Sequence, residues 1–256
     1  MQEVPLHKTH EPEITLLNID CMQFMATLPD KAFDLAVVDP PYGIGCAKTI
    51  NIPNFKKGFI GNKIHETKTW DNERPSIKYF MELTRICENQ IIWGGNYFTD
   101  YIRVSRGLIY WNKKTTKTQG SFFSDGELAW TSFDTVLKSF DYGWIGIDYI
   151  NHTNKEKKIH PTQKPVALYN WILRNYAKPG QRILDTHLGS GSSAIAAHYF
   201  GCDFVGCEID ESYFLAAKER FDRETKQITL FGEEDGQQRC DKDGKDIGDY
   251  QNDLQY

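Results

Sequence analysis

The chain has 256 residues, a formal net charge of −5 and 40% hydrophobic residues. It contains no apolar run of the roughly 18 residues that a membrane-spanning helix needs, and its first residues lack the basic and apolar segments of a signal peptide. Its six cysteines form no Cys-x-x-Cys pair and follow no zinc spacing. We therefore expect a soluble, cytoplasmic protein with reduced thiols and no metal site.

The charged residues are unevenly distributed along the chain. Residues 232–256 carry eight acids and three bases, which accounts for the whole net charge, and we predict that they form a disordered acidic tail. The remaining residues, 1–231, are predicted to fold as one domain. Within that domain, basic residues collect in two segments, Lys48–Lys68 and Arg103–Lys117, and the only acid in either is Glu66. Local positive patches of this kind favour contacts with phosphate groups.

A strand and a short helix come first along the chain. Residues 14–19 predict a strand that ends at Asp20, and residues 21–28 predict a short helix. Asp20 either accepts a hydrogen bond from an adenine amino group or caps this helix. The sequence leaves both interpretations open.

The stretch Asp39-Pro40-Pro41-Tyr42 follows an apolar run over residues 35–38, which predicts a buried strand. Because proline cannot donate to a sheet ladder, the strand must end where Asp39 appears. Open α/β sheets bind ligands beyond the carboxyl ends of their strands. The acid, the rigid prolines and the aromatic ring therefore predict a stiff pocket for a flat, amino-bearing ring. The alternative is a purely structural turn.

The middle of the chain alternates between strands, a helix and two long segments without strong periodicity. Residues 43–71 are rich in Gly, Asn and Lys and are too long for a routine connection, which indicates a functional loop. Residues 133–158 are polar and aromatic and give no defensible element. The periodic segments are a helix from Pro75 through Cys87 and strands over 90–93, 108–111 and 127–131. The alternation predicts the α/β class, with a mostly parallel open sheet and helices on both faces.

The second half contains a strand, a glycine turn and a helix in succession. The motif His160-Pro161-Thr162-Gln163-Lys164-Pro165 opens a helix that Lys178-Pro179-Gly180 ends. A strand over 182–185, a turn over 186–191 and a helix through Tyr199 follow, and this arrangement cradles a nucleotide-like ligand. The next strand, 204–207, ends at Glu208, where nucleotide-binding units place an acid on the ribose hydroxyls. A last helix is predicted over 211–221.

The glycine pattern alone does not identify the ligand. Gly189-x-Gly191-x-x-Ala194 with Glu208 also fits a dinucleotide-binding dehydrogenase. However, Asp185 precedes the turn and the turn is long, which favours a cationic, amine-bearing ligand over a pyrophosphate that seeks backbone donors. S-adenosylmethionine is such a ligand.

Three motifs together resemble the beta-class DNA amino-methyltransferases: residues 39–42, 160–165 and 185–193, in the permuted order that places the catalytic tetrapeptide before the cofactor motifs. The resemblance covers residues 14–221 and implies a Rossmann-like fold. It also implies methyl transfer from S-adenosylmethionine to an exocyclic amino group of a base in DNA. An initial Asp in the tetrapeptide is more usual for N6-adenine enzymes. N4-cytosine methylation, or a DNA-binding module that keeps the cofactor site without catalysis, are the alternatives.

The resemblance also implies residue roles. Asp39 and the Pro40 carbonyl would accept the two N–H groups of the target amine, within a catalytic stretch completed by Pro41 and Tyr42, whose ring would stack on the flipped base. The implied cofactor-binding residues are Asp20, Thr162, Lys164, Asp185, His187, Gly189, Gly191, Ser192, Glu208 and Ile209. Thr162 and Lys164 could instead be mere helix-entry residues. The chain departs from the family at Thr186 and His187, because the family's glycine motif usually begins Asp-Pro-Phe.

Target recognition and partners are less specified. We expect residues 43–71 and 133–159 to share the reading of a short DNA site. Gln227–Phe231 resembles the peptide with which bacterial DNA-processing proteins dock into the sliding clamp, but a last strand or a hydrophobic C-terminal latch is the preferred interpretation. A homodimer, and a restriction-modification, phage or regulatory context, are left open.

Overall fold

The computed structural model describes residues 11–45, 71–113, 124–144, 156 and 158–229, with side chains up to residue 226. The strands are β1 (Ile14–Asn18), β2 (Phe33–Val38), β3 (Cys87–Trp93), β4 (Leu108–Asn112), β5 (Gly126–Thr131), β6 (Lys138–Asp141), β7 (Arg182–Asp185) and β8 (Asp203–Glu208). The helices are α1 (Cys21–Ala26), α2 (Ile77–Ile86), α3 (Val166–Tyr176), α4 (Ser192–Phe200) and α5 (Glu211–Thr229). No helix within these ranges is both long and apolar enough to cross a membrane.

The strands form one eight-stranded sheet in the order β1-β8-β7-β2-β3-β5-β4-β6. Five neighbouring strands, from β1 to β3, are parallel, whereas β5 runs antiparallel to both β3 and β4. β6 then pairs parallel to β4. The predicted α/β class with a mostly parallel open sheet is therefore confirmed.

Helices cover both faces of this sheet, as the sequence predicts. In β2, Leu35 and Val37 join a core that includes residues of α3, α4 and α5, whereas Ala36 and Val38 join a second core with α1 and α2. A strand with both faces buried needs apolar side chains at successive positions. This is why residues 35–38 form an uninterrupted apolar run that ends abruptly at Asp39.

The sequence prediction was wrong at three places in the described residues. Cys87, predicted as the end of a helix, is the first residue of β3, which begins three residues before the predicted strand over 90–93. The segment 133–158 was assigned no element, yet it contains β6, a four-residue edge strand. The last helix was predicted to end at Phe221, but α5 continues to Thr229. Gln227, Ile228 and Thr229 are therefore helical, which excludes a strand for these three residues. The clamp-docking interpretation stays a prediction, since Leu230, Phe231 and the acidic tail lie outside the described residues, as do residues 46–70 of the long loop.

Candidate active site

Four of the predicted acids lie in a row at one edge of the sheet. The strands β1, β8, β7 and β2 are consecutive parallel neighbours. Asp20, Glu208, Asp185 and Asp39 stand at or just after their carboxyl ends. The chain visits these strands in a different order, so only the sheet topology brings the four acids together. This is the edge at which open α/β sheets bind ligands.

The loop that carries Asp39 is held by a buried acid that the sequence reasoning missed. Asp71 is 2% exposed and accepts the backbone N–H groups of Tyr42 and Gly43 at 2.8 and 3.0 Å. The hydroxyl of Tyr42 in turn donates to Oδ1 of Asp39 at 2.6 Å. Asp71 thus fixes the backbone after the prolines, and Tyr42 fixes one oxygen of the carboxylate. No local pattern signals Asp71, because its partners lie 28 and 29 residues away.

The ring of Tyr42 lies in an aromatic cluster built by the turn after β3. It stacks on Tyr97, with ring centroids 4.8 Å apart and planes inclined by 14°, and meets the edge of Phe98. Gly94 has a φ of +67°, and a Cβ added there would lie 2.2 Å from a carbon of the Tyr42 ring. The position therefore requires glycine both for its backbone conformation and for the close approach of the ring.

Lys164 lies against the carboxylate of Asp39, although it was predicted among the cofactor-binding residues. Its Nζ is 2.5 Å from Oδ2 of Asp39 and 3.0 Å from Oε2 of Glu127 on β5. Lys113, which follows β4, contacts the other oxygen of Glu127. The sequence reasoning missed Glu127, whose only signal was an acid at the start of a predicted strand. The side chain of Lys164 is 4% exposed, so its charge depends on these partners.

Asp185 holds the glycine turn through two hydrogen bonds. It is 2% exposed and accepts the backbone N–H of His187 at 3.0 Å and the hydroxyl of Ser193 at 2.6 Å. Burial raises the pKa of Asp185 to about 7, against the lowering effect of these two hydrogen bonds. Gly189 and Gly191 complete the turn with φ values of +53° and +74°. The turn is thus fixed by Asp185 as well as by the two glycines.

Glu208 and Asp20 are held by backbone groups close to them. Glu208 accepts the N–H of Gly189 at 2.9 Å and that of Asp210 at 3.0 Å. Burial raises the pKa of Glu208, while these N–H groups lower it. Asp20 accepts the N–H of Gln23 at 2.9 Å, which confirms that it caps α1. Its predicted contact with an adenine ring, like that of the 67% exposed Ile209, stays a prediction.

His187 stands where the resemblance given in the sequence analysis implies a phenylalanine. Its Nδ1 lies 2.9 Å from the hydroxyl of Thr186, which lies 2.6 Å from the hydroxyl of buried Tyr79. Burial lowers the pKa of His187 to about 4, and nearby Asp20 acts in the opposite direction. The imidazole is therefore uncharged at neutral pH, and it adds no positive charge beside a cationic ligand.

The segment that contains Lys164 spans the distance between the two ends of the site. His160 lies over the glycine turn, since a Cβ on Gly189 would meet its ring at 3.7 Å, and its ring also packs against Tyr213 at 4.4 Å between centroids. The hydroxyl of Thr162 lies 3.2 Å from Nδ1 of His160. The motif therefore starts at the glycine turn and reaches Asp39 within a few residues, at Lys164.

Arg220 of α5 joins this segment to the glycine turn, and the sequence reasoning missed it. It is fully buried and donates to the carbonyl of Ser190 at 3.0 Å and to the hydroxyl of Ser192 at 2.9 Å. It also pairs with Glu156 at 2.8 Å, and Glu156 accepts the N–H of Val166 at the start of α3. The hydroxyl of Ser192, which was predicted to bind the cofactor, thus accepts a hydrogen bond from Arg220.

The second predicted basic segment is partly neutralised in the fold. Arg106 pairs with Asp134 at 2.8 Å, and Lys113 contacts Glu127 within the site. Arg103 donates to the carbonyl of Ser132 at 3.0 Å. Lys114, Lys117 and the whole Lys48–Lys68 segment lie outside the described residues. The prediction that these segments bind DNA therefore stays a prediction, and Lys113 is turned inward.

The residues at this edge fit a cationic nucleoside. The carboxylate side chains would attract an ammonium or a sulfonium, which the uncharged His187 would not repel, whereas a row of acids would repel a pyrophosphate. Gly189 and Gly191 bring the backbone of the turn close to such a ligand.

The DNA methylase family model, N6_N4_Mtase, matches residues 33–219, which include Asp39, Lys164, Asp185 and Glu208. The chain belongs to the N6/N4 DNA methylase family.

Individual relatives agree with this assignment. The chain is 25% identical over 264 residues to Type II methyltransferase M.HpaI of Haemophilus parainfluenzae, covering 90% of this chain and 81% of the relative. The crystal structure of the M1.HpyAVI-SAM complex has the same fold, with a TM-score of 0.51 and 21% identity over 81% of this chain and 99% of the other. PvuII DNA methyltransferase, described as cytosine-N4-specific, gives a TM-score of 0.51 and 12% identity over 86% and 95% of the two chains. By its family the chain is a DNA methyltransferase, and the M1.HpyAVI structure, which shares its fold, is a complex with SAM.

Proposed function

We propose that this methylase modifies the N6 amino group of adenine in a short DNA site, with Asp39 as the acceptor for the target amine. The observation that carries the proposal is the position of Asp39, held at the carboxyl end of β2 by Tyr42 and Lys164 beside the row of cofactor-side acids. An aromatic amine is a poor nucleophile because its lone pair is delocalised into the ring. Acceptors for its N–H groups help to localise that pair on nitrogen.

Asp39 keeps the capacity for this contact. Each oxygen of an ionised carboxylate has about two acceptor sites, and one site on each oxygen is used, by Tyr42 and by Lys164. The remaining sites of Asp39, together with the carbonyl of Pro40, would accept the two amino N–H groups. When bound, the cofactor supplies a methyl group on a sulfonium. The chain's contribution is thus positioning and electrostatics, with the amine aligned for in-line attack.

The target base has to leave the duplex to reach this loop, because the amino group is inaccessible inside the stack. Extrusion costs a few kcal/mol, roughly, which contacts in the pocket offset. Tyr42 would supply a stacking face, supported from behind by Tyr97 and Gly94. Glu208, Asp185, Asp20 and the glycine turn would hold the cofactor, with the ribose at Glu208 and the methionine end at Gly189 and Gly191.

The chemical identity of the product tests the proposal. Unmethylated DNA is incubated with enzyme and cofactor, digested to nucleosides and analysed by mass spectrometry, and we expect N6-methyladenine. N4-methylcytosine would overturn the adenine assignment in favour of the cytosine-N4 specificity of the PvuII enzyme. Modified-base sequencing of the same DNA gives the site, and a long bipartite site would contradict a short one read by residues 43–71 and 133–159.

The role of Asp39 is tested with one variant and one control. We expect D39A to lose methyl transfer by about 100-fold or more, since it removes a contact made to the reacting group, while calorimetry shows unchanged cofactor affinity. D30A is the matched control, because Asp30 is 76% exposed and pairs only with the half-buried Arg85 among the described residues. Cofactor binding by a wild-type protein that yields no methylated base would instead identify an inactive DNA-binding module.

A further inference from the structure

A chain of alternating charges runs from the end of β4 to the catalytic loop. Lys113 contacts Glu127, Glu127 lies 3.0 Å from Lys164, and Lys164 lies 2.5 Å from Asp39. The side chains are 19%, 25%, 4% and 16% exposed in that order, so the ammonium of Lys164 is the most deeply buried charge. It also lies 5.3 Å from the centre of the buried Trp93 ring. The two acids on either side are thus the main partners of this ammonium among the described residues.

Both inner members of the chain are held in their charged forms. Burial would raise the pKa of Glu127, but the ammonium groups of Lys164 and Lys113 lower it to about 2. Burial would lower the pKa of Lys164, but Asp39 and Glu127 raise it. A carboxylate and an ammonium that remain ionised at this depth interact strongly, because water screens them little.

The position of Lys164 between two carboxylates has a consequence for Asp39. An ammonium carries three N–H donors on a flexible stem, and the carboxylate of Glu127 on β5 lies 3.0 Å from it as an ion-pair partner. The Lys164 ammonium already contacts Oδ2 of Asp39. Without Glu127 it would lose its other acidic partner among the described residues and would turn further donors towards the acceptor sites that a target amine needs. With Glu127 in place, Lys164 holds Oδ2 of Asp39 from one side while Tyr42 holds Oδ1.

We propose that Glu127 is a positioning residue for methyl transfer, which acts on Asp39 by anchoring Lys164. The proposal rests on the role of Asp39 given above. On this proposal Glu127 does more than join β4 to β5, because it affects the reaction itself. Lys164 then belongs to the base end of the site. If Lys164 instead bound the cofactor, substitutions of Glu127 and Lys164 would weaken cofactor affinity as much as they lower kcat.

The primary experiment compares E127Q with the wild-type, full-length enzyme on a DNA substrate. We expect kcat to fall by about tenfold or more, while KM for DNA and Kd for the cofactor stay within roughly threefold, because the lost interaction matters at the reacting group. E127D should recover part of kcat, since it keeps the charge. E88Q is the matched control: Glu88 lies at the opposite edge of the sheet, at the start of β3, and makes a surface pair with Lys31.

A double-mutant cycle keeps the proposal testable if E127Q folds poorly. K164M leaves Asp39 without its ammonium, and the double variant E127Q/K164M removes both charges of the buried pair, which is often tolerated better than one unpaired charge. We expect the double variant to have the same kcat as K164M alone. Losses that multiply would overturn the proposal, as would wild-type kcat in E127Q or a loss of cofactor affinity that matches the loss of kcat.

The outcomes separate this proposal from the one on which it rests. If D39A retains methyl transfer, the assigned role of Asp39 is wrong. If D39A is inactive and E127Q is fully active, Asp39 keeps its role and only the positioning by Glu127 is wrong.

Discussion

The two ends of the active site are stabilised by different kinds of interaction. At the cofactor end, Asp20, Asp185 and Glu208 accept backbone N–H groups of nearby turns. At the base end, Asp39 is held by the side chains of Tyr42 and Lys164, and Lys164 comes from 125 residues away. The acids of the cofactor end are thus held by backbone N–H groups that lie 2 to 19 residues away, whereas the carboxylate of the base end depends on a side-chain pair between distant segments.

This difference appears in the protonation of the two ends. Burial among other acids raises the pKa of Asp185 to about 7 and also raises that of Glu208. At the base end, two lysines lower the pKa of Glu127 to about 2. Acids that lack cationic partners within the described residues therefore stand ready for a cationic ligand, while the base end is already charge-balanced. We expect changes in packing to damage the base end first.

Among the variants that test this comparison of the two ends, the largest effect is expected from G94A, at the base end. The new Cβ would lie 2.2 Å from the Tyr42 ring, so the ring must move. We expect kcat to fall by about 100-fold, since small displacements of positioning groups are costly, with cofactor Kd nearly unchanged.

G180A is a matched control for G94A. Gly180 has a similar φ of +82°, but a Cβ there meets nothing within 4 Å. Both variants share the cost of a left-handed alanine, and the ring contact is the difference. Equal kcat in the two variants would contradict a role for the Tyr42 position.

A smaller effect, confined to the other end, is expected from E208A. The variant removes the acceptor for the N–H groups of Gly189 and Asp210 and the proposed ribose contact. We expect cofactor Kd to rise by about 10-fold to 100-fold, because a charge-assisted contact is lost, while kcat at saturating cofactor stays near wild type. Calorimetry and saturation kinetics measure the two values, and E211Q, an exposed acid in the first turn of α5, is the control. A fall in kcat at unchanged cofactor Kd would contradict the assignment of Glu208 to cofactor binding and of the base end to the reaction rate.

The smallest effect concerns the pH dependence of stability. Asp185 has a pKa raised from 3.8 to about 7, so the folded state holds a proton that the unfolded state has lost between these values. Its contribution to stability is present below about pH 4 and is lost as pH rises through about 7. We expect D185N to flatten this part of the curve, measured by urea unfolding at several pH values.

Glu127 should give the opposite pH dependence of stability to Asp185, because its pKa is lowered in the folded state. Its contribution is present above the ordinary value of 4.5 and is lost as pH falls towards about 2. E127Q should therefore weaken the loss of stability in acid. Parallel pH curves for D185N and E127Q would show that the two ends do not differ in the way that we describe.

The sequence predicted the elements that rest on strong local patterns and missed those that lack them. The apolar run before Asp39 and the glycine turn after Asp185 gave correct strands, because burial on both faces demands such runs. β6 was missed because an edge strand of alternating exposure needs no apolar run. The end of α5 was missed because residues after Phe221 are polar, although the pair of Arg220 and Glu224 supports a continued helix.

The sequence by itself determined the class of the sheet, the order of the motifs and the family, since apolar runs, prolines and glycines act on their immediate neighbours. Only the tertiary structure decided which charges meet. Lys164 reaches Asp39, Glu127 separates two lysines, Asp71 holds the loop after the prolines, and Arg220 joins α5 to the glycine turn. The physical reason is that a charged side chain finds its partner through space, across strand order and register, and no local pattern records that distance.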